Sequence, residues 1–152
     1  MKLNAEVLII GCGDIGQRVA GLEIARGRSV DAVLRSPLTR SALEASGVRT
    51  HPVDLDEPLP WKNMEVQVDT LYYFAPPPSQ GQTDPRVRRF LETLKAAARL
   101  VYISTSGIYG DCQGAWVQEE RPPAPRTDRA RRRLDAENQF RSFAKAKGGD
   151  LI

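Results

Sequence analysis

The sequence predicts a doubly wound α/β fold, in which helices cover both faces of a parallel sheet. Short apolar runs alternate with segments of helical spacing, which is typical of strand–helix–strand units. The first run, Glu6 to Ile10, is almost wholly apolar and stops at glycines, as expected of a strand buried on both faces. Because crossovers between parallel strands are right-handed, we expect the strand order 3-2-1-4-5, with a ligand crevice at the carboxyl ends of strands 1 and 4.

The other elements are predicted from periodicity and from glycine and proline punctuation. The helix after the first strand carries Ile15, Val19 and Leu22 at helical spacing and ends near Gly27. The pattern then predicts strand two over 29–34, a short helix over 37–47, strand three over 48–53, a loop over 54–68, strand four over 70–75, an amphipathic helix over 87–98, strand five over 100–105, and a last helix over about 127–146.

Composition bounds the class of protein. The chain has 152 residues, 41% apolar and 27% charged, which is ordinary for one soluble domain. No run approaches the roughly 20 apolar residues of a membrane helix, and the apolar stretch before Cys12 is too short for a signal peptide, so we expect a cytoplasmic protein. Two cysteines and one histidine at these spacings predict neither a disulfide framework nor a metal site.

The net charge of +3 is concentrated near the C-terminus. Residues 121–152 carry 9 basic and 4 acidic side chains, including Arg129, Arg131, Arg132 and Arg133. Such a cluster can attract nucleic acid, but no recognition motif accompanies it. We therefore expect a solvated helix face and consider nucleic-acid binding the less favoured interpretation.

A Gly-x-Gly-x-x-Gly turn follows the first strand and opens the first helix, and this context makes the motif specific. Gly11 permits a tight turn, Gly13 lets the backbone approach a pyrophosphate, and Gly16 lets the helix lie close to the sheet. The backbone amides around Asp14 and Ile15, with the helix dipole, would then bind the anion. The alternative is a structural turn without a ligand.

The end of strand two predicts which dinucleotide binds. NAD-binding proteins place an acid there for the ribose 2′-hydroxyl, but this strand ends in Leu34–Arg35–Ser36, and Asp31 lies too early to reach the ribose. Arg35 can pair with a 2′-phosphate, so we predict NADP(H), with NAD(H) as second choice. The alternative is that Arg35 is only a solvated loop residue.

Three further residues belong to the predicted crevice. Asp54, at the end of strand three, could accept a hydrogen bond from the adenine amino group or could cap a turn. Ala75 and Pro76 end strand four, where a small, rigid pair leaves room for the ribose and nicotinamide.

Several of these motifs together resemble a known family. The glycine turn, Asp54, the strand ending in Ala75, the segment from Val101 to Asp111 (VYISTSGIYGD), and the later Glu119–Glu120 and Pro122–Pro123 pairs resemble the extended short-chain dehydrogenase/reductases. This is the NAD-dependent epimerase/dehydratase family of Rossmann-fold proteins, and the form of the glycine turn is most similar to its atypical branch. The resemblance covers essentially the whole chain.

The resemblance implies specific catalytic positions. A Ser or Thr after strand five would orient the substrate oxygen, and the matching residue here is Thr105. The family's Tyr and Lys, four residues apart on the next helix, correspond to Arg129 and Arg133. Because arginine stays protonated, neither can serve as the usual acid or base, although Arg133 could still hold the ribose as a hydrogen-bond donor.

The resemblance leaves two functional hypotheses open. One is an oxidoreductase or epimerase that moves a hydride between NADP(H) and a carbonyl or sugar-like substrate; the other is a dinucleotide-binding or redox-sensing module without turnover. Family members are also much longer and add further strands and a substrate domain. The pattern predicts that a sixth strand begins at Gly149–Ile152, and a sheet ending there would expose an apolar edge at strand five. We therefore expect a truncated product, a fragment of a longer chain, or an edge covered by another subunit.

Overall fold

A six-stranded parallel sheet forms the centre of the molecule. The computed structural model describes residue 3 and residues 5–60 and 66–152. The strand order is β3-β2-β1-β4-β5-β6, which confirms the predicted order and extends it by one short strand. The strands are β1 (Val7–Ile10), β2 (Val30–Leu34), β3 (Arg49–Pro52), β4 (Val66–Tyr73), β5 (Leu94–Tyr102) and β6 (Asp150–Leu151).

Within the described residues, four α-helices cover the two faces of this sheet. They are α1 (Asp14–Ala25), α2 (Arg40–Ala45), α3 (Pro85–Leu91) and α4 (Asp128–Lys147), with short 3₁₀ turns at Pro37–Thr39 and Ser106–Tyr109. In the central strand β1, Val7 and Ile9 pack in the core beneath α1 and α2, while Leu8 and Ile10 pack in the core beneath α3 and α4. Since all four side chains are fully buried, each contributes roughly 1.5–3 kcal/mol of hydrophobic stabilisation.

The first helix buries a different face from the one that apolar spacing indicated. Ile15 and Leu22 are 52% and 61% exposed, whereas Gly16, Ala20 and Glu23 are buried. Small residues let the helix lie close to the sheet. The Glu23 carboxylate accepts hydrogen bonds from Arg26, Arg28 and the Tyr72 hydroxyl, so the buried charge is paired.

The predicted amphipathic helix over 87–98 was wrong in its second half. Helix α3 ends at Leu91, and Leu94 already begins β5. Leu94 and Ala97 are buried as predicted, but on a strand, because a short apolar run cannot be assigned to helix or strand from periodicity alone. Strand β5 accordingly ends at Tyr102, three residues before the predicted end.

The start of β4 also differs from the sequence-based prediction, whereas the sixth strand agrees with it. Strand β4 begins at Val66, so the end of the predicted 54–68 loop is strand, and residues 61–65 of that loop lie outside the described residues. At the sheet edge, Asp150 and Leu151 pair with Arg99 and Leu100 of β5, which confirms the beginning of a sixth strand. This strand covers part of the edge that the sequence predicted to be open.

Candidate functional site

A cleft of about 770 Å³ opens at the carboxyl ends of the central strands. Its floor is the turn after β1, and its walls follow β2, β3, β4 and β5. All ten residues predicted to bind a cofactor line it: Gly11, Gly13, Asp14, Ile15, Gly16, Arg35, Asp54, Ala75, Pro76 and Arg133. The fold therefore brings these residues together, and their individual roles stay predictions.

The three glycines of the turn differ in their surroundings. Gly11 has φ +89°, and a Cβ there would lie 2.6 Å from the Ala75 Cα. At Gly16 a Cβ would lie 2.9 Å from the Gly11 carbonyl oxygen, so both positions need glycine for the fold itself. At Gly13, among the described residues, no atom lies within 4 Å of a Cβ, because this backbone faces the open cleft.

The start of α1 presents backbone donors to the cleft. Gly13 is the N-cap and makes no side-chain cap hydrogen bond, so the first-turn amides have no intrahelical acceptor. Asp14 lies in this turn, but its carboxylate accepts from Arg18 at 3.2 Å, with both side chains largely exposed. The arginine offsets the negative charge of Asp14, and the helix end stays suited to an anion.

We call the part of the cleft lined by Arg35, Asp54, Leu55 and Arg86 its β3 end. Here the Asp54 carboxylate accepts from the Asp56 amide at 2.9 Å, so Asp54 caps a turn and also lines the cleft. Arg35 is exposed and, within residues 3, 5–60 and 66–152, makes no hydrogen bond or ion pair. Its guanidinium is free to meet a ligand.

Arg86 is a charged cleft residue that was not predicted from the sequence. It donates to both carboxylate oxygens of Asp56, at 2.8 and 2.5 Å, and to the Pro76 carbonyl oxygen at 2.8 Å. The signal was present: Asp84 caps α3, Pro85 occupies its first turn, and the residue after Pro85 lies beside the end of β4. A helix that begins after β4 places its first arginine at the crevice.

We call the part lined by Ile103 and Arg133 the β5 end of the cleft. Arg133 donates through Nη1 to the Ile103 carbonyl oxygen at 2.6 Å and to the Tyr102 hydroxyl at 3.3 Å. Burial raises the pKa of Tyr102, and the hydrogen bond from Arg133 opposes that rise. Tyr102 therefore stays protonated near neutral pH and can accept from the cation.

The other residues predicted on this side are placed differently. Thr105 caps the 3₁₀ turn, where its hydroxyl accepts from the Gly107 amide at 3.3 Å, and it is not among the residues that line the cleft. Arg129 is exposed, whereas Arg132 is buried and donates to the Gly81 carbonyl oxygen. The arginine cluster is thus not one solvated face, since Arg132 and Arg133 turn inward.

No family model matches the chain, and no curated protein matches it either. Among solved structures, a functionally unknown conserved protein from Silicibacter pomeroyi is 26% identical with a TM-score of 0.72, and the match covers 92% of this chain and 50% of that chain.

Two enzymes of defined class also match. UDP-glucuronic acid 4-epimerase from Bacillus cereus, in complex with NAD, is 21% identical with a TM-score of 0.77, covering 96% of this chain and 53% of that one. A short-chain dehydrogenase/reductase superfamily protein from Agrobacterium tumefaciens with bound NAD is 18% identical with a TM-score of 0.77, covering 96% and 47%.

These neighbours confirm the resemblance at the level of the fold. The chain has the Rossmann architecture of the epimerase and dehydratase structures and spans about half the length of the structures it matches. In the part of the chain that the structure describes, no helix has the length and apolar character needed to cross a bilayer.

Proposed function

We propose that this chain binds NADP(H) as the dinucleotide-binding part of an oxidoreductase related to the epimerases and dehydratases, with a carbonyl or nucleotide-sugar-like substrate. The observation that carries the proposal is the open backbone of Gly13, at the mouth of α1 and on the floor of the cleft. Amides at a helix N-terminus favour a pyrophosphate, because they offer unpaired donors along the helix dipole. Two matched structures are described with NAD bound, which supports a nicotinamide dinucleotide.

The residues at the two ends of the cleft indicate how the dinucleotide would be oriented in it. The β3 end would hold the adenosine half, with Asp54 near the adenine and Arg35 at the ribose 2′-position. A guanidinium pairs well with a phosphate, which supports NADP(H) over NAD(H). The β5 end would hold the nicotinamide half, where Arg133 lines the cleft as a donor for the ribose and Thr105 would orient a substrate oxygen beyond it.

Titration with NADPH and NADH tests this proposal, with Gly13→Val as the key variant. Gly13 has a negative φ of −78° in extended backbone, and a Cβ there meets no described atom within 4 Å, so the variant should fold while its side chain occupies the pyrophosphate position. We expect its affinity for both dinucleotides to fall roughly 100-fold, through loss of two or three charge-assisted hydrogen bonds. Fluorescence of the reduced nicotinamide measures both constants.

The matched control is Gly21→Val on the same helix. Gly21 is exposed, and a Cβ there meets no described atom within 4 Å, so the same chemical change lies outside the cleft. It should leave both affinities unchanged. If the unmodified, folded protein binds neither dinucleotide, the proposed function is wrong.

A second candidate function is a dinucleotide-binding module without turnover. It is favoured by the arginines at positions 129 and 133, because neither side chain can donate and retake a proton near neutral pH. Incubation with NADP⁺ and a panel of nucleotide sugars separates the two candidates. Appearance of reduced nicotinamide absorbance supports the oxidoreductase, whereas tight binding without any change in absorbance supports the module.

A further inference from the structure

A carboxylate lies beside the β3 end of the cleft: Asp56 does not itself line the cleft, but it is paired with Arg86, which does. Asp56 lies two residues after Asp54, and its side chain is 46% exposed. Hydrogen bonds from Arg86 hold the pKa of Asp56 below its ordinary value, with the charges of Arg89 and Arg35 acting in the same direction. The carboxylate is therefore ionised at neutral pH, and its partner Arg86 lines the same end of the cleft as Arg35.

An unpaired carboxylate at this position would have two effects on a 2′-phosphate. It would repel the phosphate directly, and it would attract the Arg35 guanidinium away from the ligand. Both effects disfavour NADP(H) relative to NAD(H), because only the former carries the 2′-phosphate. Neutralisation of the Asp56 charge would therefore raise the affinity for NADP(H) relative to that for NAD(H).

Arg86 binds this charge from the first turn of α3. Its guanidinium takes both oxygens of Asp56 in a bidentate pair, while its own side chain is 14% exposed and cannot swing freely. Arg89 adds a contact at 3.9 Å to the same carboxylate and donates to the Leu55 and Asp56 carbonyl oxygens. Helix α3 therefore carries the cations that hold the 55–56 segment.

We infer that Arg86 is a specificity-determining residue that neutralises Asp56 and so keeps Arg35 available for the 2′-phosphate of NADP(H). The inference rests on the proposed function and extends it from a residue at the end of β2 to an ion pair supplied by α3. Arg86 is a positioning residue here, because it acts on the phosphate through Asp56 and Arg35.

Arg86 also has a structural bond that the experiment must separate from this role. Its Nη1 donates to the Pro76 carbonyl oxygen, so the side chain ties the segment after β3 to the segment after β4. Loss of that bond would loosen the cleft for both dinucleotides alike. Loss of charge neutralisation would instead change the ratio between them.

The test is a double-mutant cycle with Arg86→Gln, Asp56→Asn and the combined variant, each titrated with NADPH and NADH. We expect Arg86→Gln to lower the preference for NADPH over NADH by about fivefold, the size of one partly exposed charge pair. Adding Asp56→Asn should restore the preference, because no carboxylate then remains to be neutralised. Asp56→Asn alone should keep or raise it. Thermal melting confirms that each variant is folded.

Arg88→Gln is the matched control, since it removes one exposed positive charge from the same helix at a position away from the cleft. It should leave the ratio unchanged. Equal losses of NADPH and NADH binding in Arg86→Gln, without rescue by Asp56→Asn, would overturn the inference and leave the proposed function intact. Failure of the native protein to bind either dinucleotide would overturn both.

Discussion

The two ends of the cleft differ in how completely their polar groups are paired. At the β3 end, Asp56 is bound by Arg86, Asp54 caps its own turn, and Arg35 remains exposed. At this end Arg89 Nε is buried without a hydrogen bond, but the other two nitrogens of that guanidinium donate to the Asp56 and Leu55 carbonyl oxygens. Near the β5 end, within the described residues, more buried side-chain atoms make no hydrogen bond: the Tyr73 hydroxyl, Asp84 Oδ2, Ser104 Oγ and Arg133 Nε. Burial raises the pKa of both Tyr73 and Asp84.

This difference shows which side chains of the cleft are held in one geometry by their hydrogen bonds. A paired, capped end is preorganised, so a ligand that binds there has to order the exposed Arg35 side chain but rearranges little else. Buried polar groups without partners are costly, and native proteins retain them mainly where another group or a reaction uses them. The β3 end and the glycine turn thus favour binding, while the β5 end carries the polar groups that chemistry would use.

The largest expected effect is a loss of stability at Gly11, a residue that lines the cleft and is also required by the fold. Gly11→Ala places a Cβ against the Ala75 backbone at a positive φ, and we expect the free energy of unfolding to fall by about 2–4 kcal/mol from overpacking and strain. Urea denaturation measures this. Gly21→Ala, on the exposed face of α1, should instead be neutral or stabilising. Equal stability of Gly11→Ala and the native protein would contradict the assigned turn geometry.

The sequence was sufficient for the β1 side of the molecule. The strand, the glycine turn and the helix that follows are local in sequence, and each glycine has a stereochemical reason that can be read before any contact is known. The same holds for the end of β2, because Arg35 follows the last buried residue of a strand. All ten predicted cofactor residues accordingly line one cleft.

Sequence reasoning was weaker where pairing depends on distant contacts. Arg86 meets Asp56 across 30 residues, and no local pattern announces that pair. The apolar residues around Leu94 fit both the helical and the strand period, and we predicted a helix. Leu94 instead lies on a strand, because it pairs with Val66 of β4. Glu23 could not be predicted as buried, because its partner Tyr72 lies 49 residues away on β4.

At the β3 end, Arg35→Gln should separate the two dinucleotides. The variant loses a charge-assisted hydrogen bond to the 2′-phosphate, and we expect NADPH affinity to fall about tenfold while NADH affinity changes less than about twofold. Arg40→Gln is the matched control, because Arg40 is an exposed arginine of the next segment that pairs with Glu44 and does not line the cleft. Titration of each variant with both cofactors measures the ratio. Equal losses of NADPH and NADH affinity in Arg35→Gln would show that Arg35 does not bind the 2′-phosphate.

At the β5 end, the smallest effect is expected, and it should not discriminate between the dinucleotides. Arg133→Met removes a donor next to the nicotinamide ribose, which NADH and NADPH share, so both affinities should fall by about two- to tenfold, as for one ordinary hydrogen bond. Arg129→Met, one turn earlier on the exposed face of α4, should change neither. A selective loss of NADPH in Arg133→Met would place the 2′-phosphate at the β5 end and reverse the orientation proposed for the ligand. An equal, modest loss in Arg133→Met, alongside the selective loss in Arg35→Gln, would establish that one end of the cleft chooses the dinucleotide and the other only holds it.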